Sequence, residues 1–278
     1  MVEASVMIAL ATVLSLFKVV EMPYGGSVTL ASMLPILVVS YRHGVGVGVL
    51  SGSVYAVIQQ LLGMNNLSYF TTWQSVVAVM LLDYLIAFTA VGIGGIFKSR
   101  IGIKSKSASV KQKIELAAGM LLVCIIRYAC HVISGATVWA GLSIPDGAAL
   151  VYSLGYNATY MLPETVVSLI VTVWIAEVLD FSRSVPVRFP AASVAKNNKY
   201  ATACEVLPCV SKFMLLFAVA FDTILIAPHL QNAETGEFTL ALMGEVNWLL
   251  ICVVSAVSVV AAIAAAVVAA RLCAKSRG

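Results

Sequence analysis

The segment from Leu249 to Ala270 has 22 residues, nearly all of them apolar, and contains no charged side chain. A helix of ~20 apolar residues is long enough to cross the hydrocarbon core of a bilayer. Apolar residues make up 61% of the 278 residues and charged residues only 11%, too few to cover a soluble globule. We therefore expect an all-α, polytopic protein embedded in a lipid bilayer. Soluble enzymes, soluble binding modules and disordered chains are excluded.

Similar apolar segments recur along the chain and predict eight spans. They cover residues 3–20, 27–41, 45–63, 74–97, 114–138, 148–180, 208–227 and 247–270. The second is short and contains Pro35, which is tolerated where a span lines a cavity inside the protein. The polar, basic residues 182–207 read as a linker between a six-span domain (1–181) and a two-span extension (208–278).

Basic residues are concentrated in alternate loops. They lie in the turn after the second span (Arg42), in the loops 98–113 and 181–207, and in the C-terminal tail, whereas the opposite loops are neutral or acidic. The positive-inside rule then predicts that both termini are cytoplasmic, which requires an even number of spans. The basic residues of these cytoplasmic loops account for the net charge of +4. The charge does not indicate nucleic-acid binding, because no motif of aromatic and basic residues accompanies it.

Four charged residues fall inside predicted spans: Asp83, Arg127, Glu164 and Asp222. A charge at bilayer depth costs ~2.5–3.5 kcal/mol on insertion scales, so each is a candidate functional residue. For Arg127 and Glu164, an internal ion pair that only fastens the bundle is equally possible, and for Asp222 we favour it. Asp83 precedes Tyr84, and a carboxylate beside an aromatic ring suits an organic cation.

Two further groups of polar and aromatic residues could contact a ligand. Arg127 and His131 share a helix face, and Trp139 follows at the outer end. Taken singly, a histidine is more often a partner between helices and a tryptophan more often an interfacial residue. The sixth span opens with a second group: Tyr152, Tyr156, Asn157, Tyr160 and Glu164. The amide of Asn157 can both donate to and accept from a heteroaromatic ring. The alternative is that this group forms a polar seam between helices.

Motifs for catalysis are missing from the sequence. It contains no GxxxxGK[ST], GxSxG or HExxH pattern, and its cysteines are not spaced for a metal site or a disulfide framework. We expect no enzyme activity, no cofactor and no bound metal. The first apolar segment lacks a basic start and is interpreted as a retained span rather than a cleaved signal.

Small residues suggest where helices approach closely. Ser5 and Ala9, and Ala11 and Ser15, are four residues apart on the first span, a spacing that lets helices pack tightly in lipid. Packing inside the bundle would give the same pattern. The alternating glycines at positions 44, 46, 48 and 52 predict close packing at the start of the third span.

Five stretches resemble one known family, the thiamine-specific substrate-binding subunits of energy-coupling-factor (ECF) transporters, also called ThiT/YuaJ-like. They are MIALATVLSL (Met7–Leu16), YGGSVTLASMLPI (from Tyr24), LLDYLIAFTAVGIGGIF (Leu81–Phe97), RYACHVISGATVW (Arg127–Trp139) and YSLGYNATYMLPE (Tyr152–Glu164). Their order and spacing also fit, over about residues 4–181. The DYxxAF and HxxxGxxxW elements together are specific to the family.

The resemblance implies a six-helix protein of the bacterial cell membrane that captures thiamine from outside. Such a subunit docks on an ECF transmembrane subunit driven by two ATPase subunits. By resemblance, the carboxylate facing the thiazolium ring is Asp83, and the other ligand contacts are Tyr84, His131, Trp139, Tyr152, Asn157 and either Trp73 or Tyr69. The family often has a tryptophan where this chain has Gly26. By the same resemblance, Ser5, Ala9, Ala11 and Ser15 form the docking surface for the transmembrane partner.

These observations predict high-affinity capture and import of thiamine. The alternatives are import of a thiamine precursor or another vitamin by the same fold, an interaction protein with a vestigial pocket, and a proton-coupled secondary transporter. The extension lies beyond the resemblance. We expect few contacts across the linker, so that the last two spans are dispensable for ligand binding, unless Asp222 reaches back to Arg127.

Overall fold

The computed structural model describes residues 1–22, 25–99, 108–140, 148–189, 200–232 and 237–275. Its α-helices are α1 (Val2–Leu16), α2 (Leu34–His43), α3 (Val45–Leu62), α4 (Trp73–Val79), α5 (Ala87–Thr89), α6 (Ala108–Thr137), α7 (Ala149–Val178), α8 (Ala201–Ile226) and α9 (Trp248–Lys275). The helices α4 and α5 are parts of one continuous helix, Trp73–Phe97, which also contains a π-helical turn (Met80–Ile86) and a 3-10 end (Ala90–Phe97). Two short antiparallel pairs join β1 (Lys18–Glu21) to β2 (Ser27–Thr29) and β3 (Leu179–Asp180) to β4 (Val187–Arg188).

Six of the described helical segments are long and apolar enough to cross a membrane. They are Val45–Leu62, Trp73–Phe97, Ala108–Thr137, Ala149–Val178, Thr202–Leu230 and Trp248–Lys275. The prediction of a helical, multi-pass membrane protein is thus confirmed. The first two predicted spans are shorter than expected, because α1 has 15 residues and α2 has 10.

A β-hairpin replaces the predicted ends of these two spans. The first span was predicted to reach residue 20 and the second to begin at residue 27, but residues 18–21 and 27–29 are extended. Their β-branched valines favour strands, and the turn contains Gly25 and Gly26 at φ +97° and +87°, a region that glycine enters freely. Pro35 does not break the second helix, since it lies in the first turn, where no backbone hydrogen bond is lost.

Close backbone contacts hold α2, α3 and the Trp73–Phe97 helix together. A Cβ atom on Gly48 would lie 2.5 Å from the Gly92 carbonyl oxygen, and one on Gly52 would lie 2.9 Å from that of Thr89. The predicted glycine packing is therefore confirmed at these two positions. It is wrong at Gly44 and Gly46, where a Cβ would meet nothing within 4 Å.

Charged residues collect at one end of the bundle. Arg42 pairs with Glu3 and donates to the carbonyl oxygens of Phe181 and Ser184, while Lys98 donates to the Arg42 carbonyl. This is the end predicted to be cytoplasmic. Other charges used for that prediction lie outside the described residues: Arg100, Lys104, Lys106, Asp146, Lys196, Lys199, Glu234 and Arg277.

The extension is a helical hairpin that packs on the six-span domain. Its helices α8 and α9 lie side by side, and α8 also packs against α7. Asp222 accepts hydrogen bonds from Ser255 at 2.6 and 2.7 Å, so its partner lies within the hairpin. A disulfide joins Cys204 to Cys273. The sequence did not indicate this pairing, because the two cysteines are far apart in the chain and meet only when α8 and α9 pair.

Candidate substrate-binding site

A cavity of about 240 Å³ lies at the end of the bundle opposite the Arg42–Glu3 cluster. The β1–β2 hairpin, the end of α3, the π-helical turn, α6 and α7 contribute its walls. Predicted site residues that line it are Asp83, Tyr84, His131, Trp139 and Asn157. Residues that are far apart in sequence are thus brought together around one partly open cavity of the size of a small organic molecule.

Asp83 lies at the centre of a group of hydrogen-bonded side chains in the cavity wall. It lies on the π-helical turn Met80–Ile86, a local widening that often accompanies functional sites. Its Oδ2 accepts from Ser134 Oγ at 2.7 Å and from Trp139 Nε1 at 3.0 Å, and its Oδ1 lies 2.9 Å from His131 Nδ1. A carboxylate held by three neighbours is fixed in position and presents a negative charge to the cavity.

The orientation of His131 follows from its contact with Asp83. Because an ionised carboxylate can only accept, Nδ1 must be the donating nitrogen of the ring. In the neutral ring Nε2 is then an acceptor, and it is buried without a hydrogen-bond partner among the described residues. A small shift of the ring would expose this acceptor to the cavity, where it could pair with an N–H or amino group of a ligand.

Aromatic rings form much of the remaining wall. Tyr160 packs against Tyr156 at a centroid distance of 5.9 Å and against His131 at 6.1 Å. Tyr84 donates its hydroxyl to the Gly63 carbonyl at 3.2 Å. Trp139 packs edge-on against Phe70 at 4.7 Å. These faces can bind a flat heteroaromatic ring or a delocalised cation.

Asn157 is largely engaged by the protein itself. Its Nδ2 donates to the Ser153 carbonyl at 2.9 Å, and its Oδ1 accepts from the Tyr160 hydroxyl at 2.5 Å. Asn157 and Tyr160 are three residues apart on α7, which brings their side chains together. The Asn157 amide therefore bonds to neighbouring side chains, as in a polar seam between helices, and it also lines the cavity, as a ligand contact would.

The described charged residues around the cavity leave a net negative charge. Counted at their formal charges, the three carboxylates of Glu21, Asp83 and Glu164 exceed the two basic side chains of Lys18 and Arg127 by one. Lys18 and Glu21 pair with each other at 2.5 Å. A cavity with this balance favours a cation.

Arg127 and Glu164 do not form the predicted ion pair within the described residues. Arg127 donates to Met33 Sδ at 2.9 Å and lies over the Phe88 ring at 4.4 Å. Glu164 accepts from Thr29 N at 2.5 Å and from Thr29 Oγ1 at 2.8 Å. The two side chains therefore make no direct salt bridge, and Glu164 fastens the β-hairpin to α7.

Three aromatic residues predicted for the site lie outside the cavity lining. Tyr152 is 36% exposed and packs against Phe238 at 6.3 Å. Trp73 is 72% exposed, and Tyr69 lies 6.2 Å from the Trp139 ring without lining the cavity. Of the two candidates from the third loop, Tyr69 is therefore the one beside a cavity residue.

The small residues of α1 fall on two different faces. Ser5 and Ala9 are exposed, whereas Ala11 and Ser15 are buried inside the bundle. Ser15 lines the cavity and accepts from Gln59 Nε2 at 2.8 Å. A docking surface on α1 can thus include Ser5 and Ala9, but it cannot present Ala11 or Ser15 to a partner.

Several cavity residues were not in the predicted site. Tyr156, Tyr160 and Glu164 were noted as part of the polar group that opens the sixth span, so their spacing was a usable signal. Phe88 belongs to the DYxxAF element, whereas Gln59 and Asn66 carry no comparable signal. Gln59 reaches the cavity from α3, and Asn66 reaches it from the 3-10 helix Met64–Tyr69 that follows α3.

Replacing Gly26 with alanine should weaken ligand binding. A Cβ at this position would lie 2.7 Å from the Tyr160 ring, and the backbone has φ +87°. The backbone strain alone costs ~1–2 kcal/mol, and displacement of Tyr160 should weaken ligand binding by about tenfold. Titration and thermal unfolding of Gly26→Ala would measure the two effects.

Gly44→Ala is the matched control, because Gly44 has a similar φ of +91° but open space around its Cβ position. It should lose similar stability and keep ligand affinity. Equal affinity in the two variants would show that Tyr160 does not need the space at Gly26.

Fold and cavity together define a polytopic helical membrane protein with an aromatic-lined cavity whose formal charge is negative, as expected of a small-molecule transporter. Residues 1–181 match the profile of the thiamine transporter protein family (Thia_YuaJ). The chain belongs to this family, and it is a thiamine transporter rather than an enzyme.

Individual relatives agree with this assignment. The thiamine transporter ThiT of Bacillus subtilis (strain 168) is 37% identical over 176 residues, which cover 62% of this chain and 86% of that protein. ThiT of Lacticaseibacillus paracasei is 30% identical over 155 residues, covering 55% and 71%. The solved structure of ThiT from Listeria monocytogenes shares the fold, with a TM-score of 0.52 at 21% identity over 63% of this chain and 92% of that one. The family match ends at residue 181, before the extension.

Proposed function

We propose that this thiamine transporter is the substrate-binding subunit of an ECF transporter and that Asp83 recognises the thiazolium cation. The observation that carries the proposal is the carboxylate of Asp83, fixed by His131, Ser134 and Trp139 at the wall of a cavity with an excess negative charge. A fixed anion inside a low-dielectric site attracts a cation more strongly than a surface carboxylate does.

The pyrimidine half of thiamine has matching partners in the same cavity. His131 Nε2 can accept from the exocyclic amino group, and the rings of Tyr156, Tyr160 and Trp139 offer faces and edges for stacking. The acid for the thiazolium, Asp83, and the residue that would accept from the aminopyrimidine, His131, are therefore direct neighbours joined by a hydrogen bond. This pairing supports thiamine over a neutral precursor.

Energy coupling is proposed to come from partner subunits. The sequence has no phosphate-binding loop, so ATP hydrolysis would be supplied by two ATPase subunits through an ECF transmembrane subunit. The exposed face of α1 with Ser5 and Ala9 has the small side chains that allow another helix to approach closely.

The same proposal sets the orientation in the bacterial cell membrane. With both termini cytoplasmic, the basic end around Arg42 and Lys98 faces the cytoplasm and the cavity lies toward the outside.

Uptake of radiolabelled thiamine in cells without their own thiamine transporter tests the coupling. Accumulation should require this chain together with the ECF transmembrane subunit and both ATPase subunits. A catalytically inactive ATPase variant is the control and should abolish accumulation. Accumulation by this chain alone, sensitive to a proton uncoupler, would instead establish a secondary transporter.

A further inference from the structure

The loop between α8 and α9 reaches the apolar cluster that surrounds the substrate cavity. Phe238 is only 4% exposed, and it belongs with Leu230 to the same buried cluster as Trp139, Tyr156 and Tyr160. The expectation that few contacts cross from the extension to the six-span domain is therefore wrong. Dividing the chain into domains from its sequence could not reveal these contacts, because Leu230 and Phe238 both lie beyond the family match.

Backbone pairing fixes the position of Phe238. Gln231 and Phe238 form an antiparallel bridge, Thr239 N donates to the Leu230 carbonyl at 3.0 Å, and Asn232 N donates to the Glu237 carbonyl at 2.9 Å. These bonds join the two described sides of the loop. Phe238 is thus held at a defined place rather than on a free chain.

The Phe238 ring contacts a residue of the cavity wall. It meets Tyr156 edge-on at a centroid distance of 5.9 Å and Tyr152 at 6.3 Å. Tyr156 lines the cavity and donates its hydroxyl to the Gly25 carbonyl at 2.8 Å. A continuous set of contacts therefore leads from the extension through Tyr156 to the β-hairpin turn.

We propose that Phe238 is a positioning residue for the substrate site. By packing on Tyr156 it holds that ring against the Gly25–Gly26 turn, so that the extension sets how long the bound organic cation stays in the cavity. Phe238 itself does not line the cavity, and it acts through Tyr156. The inference rests on the proposed thiamine site.

Stopped-flow measurement of thiamine dissociation from the full-length protein tests this role. Phe238→Ala removes two edge-on aromatic contacts and should speed dissociation by about tenfold with little change in the association rate. Leu240→Ala is the matched control, since Leu240 lies in the same loop and is 60% exposed. Its dissociation rate should equal that of the wild type.

A double-mutant cycle separates positioning from general loosening of the fold. If Phe238 acts through Tyr156, then Phe238→Ala in a Tyr156→Ala background should change dissociation by less than about twofold. Should Phe238→Ala fail to fold, Phe238→Leu decides, because leucine fills part of the space without the aromatic contacts. It should speed dissociation by about threefold.

The outcomes are distinguishable from failure of the thiamine site. A wild-type protein that does not bind thiamine would contradict the proposed function. A wild type that binds, with Phe238→Ala or Phe238→Leu releasing thiamine at the wild-type rate, would overturn the role of Phe238. Full additivity in the cycle would also overturn it.

Discussion

Replacing Asp83 with asparagine should weaken thiamine binding by roughly a hundredfold, because one charge of a close, poorly solvated ion pair is lost. The amide keeps the shape of the carboxylate and can still accept from Ser134 and Trp139. A neutral aminopyrimidine fragment of thiamine lacks the thiazolium and should lose much less affinity than thiamine does; its remaining loss comes from His131, whose Nδ1 no longer faces a carboxylate oxygen. Isothermal titration of both ligands against the wild type and Asp83→Asn measures the difference.

Asp222→Asn is the matched control for this experiment. Asp222 is also a carboxylate in a membrane helix, but its partner is Ser255 of α9. Thiamine affinity should be unchanged in that variant. Equal losses for thiamine and the fragment in Asp83→Asn would mean that Asp83 organises the site without recognising the cation, and would favour a neutral precursor as the ligand.

Ala9→Trp should abolish thiamine uptake by the assembled transporter while leaving thiamine binding by the isolated subunit intact. Ala9 is exposed on α1, far along the helix from the cavity residue Ser15. A tryptophan on this face would keep a partner helix from approaching closely. Uptake in cells and titration of the purified subunit report the two functions separately.

The control for bulk is Ala264→Trp, which places the same side chain on an exposed position of α9. Uptake by that variant should be normal. If Ala9→Trp also transports thiamine at the normal rate, the α1 face is not the docking surface and the partner must bind elsewhere.

Membrane helices were the part of the fold most readily predicted from the sequence. In a chain of this composition, long uncharged segments such as Leu249–Ala270 are expected to be membrane-spanning helices. Residues 18–20 and 27–29 were wrongly assigned to spans, because a short apolar run fits a strand as well as a helix end. One deciding feature was local, the two glycines with positive φ, and the other was the hydrogen bonds of Thr29 with Glu164, which lies far away in the sequence.

The candidate site was partly predictable for a different reason. Charged and amide side chains are costly at bilayer depth, so Asp83 and Asn157 stood out by their chemistry alone. Which aromatic rings line the cavity depends on their position along the helix: Tyr152 and Tyr156 are one turn apart on the same side of α7, yet only Tyr156 lines the cavity, while Tyr152 packs against Phe238 nearer the start of the helix. On α1, helix rotation separates exposed Ala9 from buried Ala11.

Titration of the purified full-length protein with thiamine tests the central claim most directly. Trp139 donates to Asp83 in the cavity wall, so bound thiamine should quench tryptophan fluorescence. The account predicts saturable binding of one thiamine per chain by calorimetry, with the quench largely lost in Trp139→Phe. Absence of saturable thiamine binding by a folded protein, or an unchanged quench in Trp139→Phe, would contradict a thiamine site at Asp83.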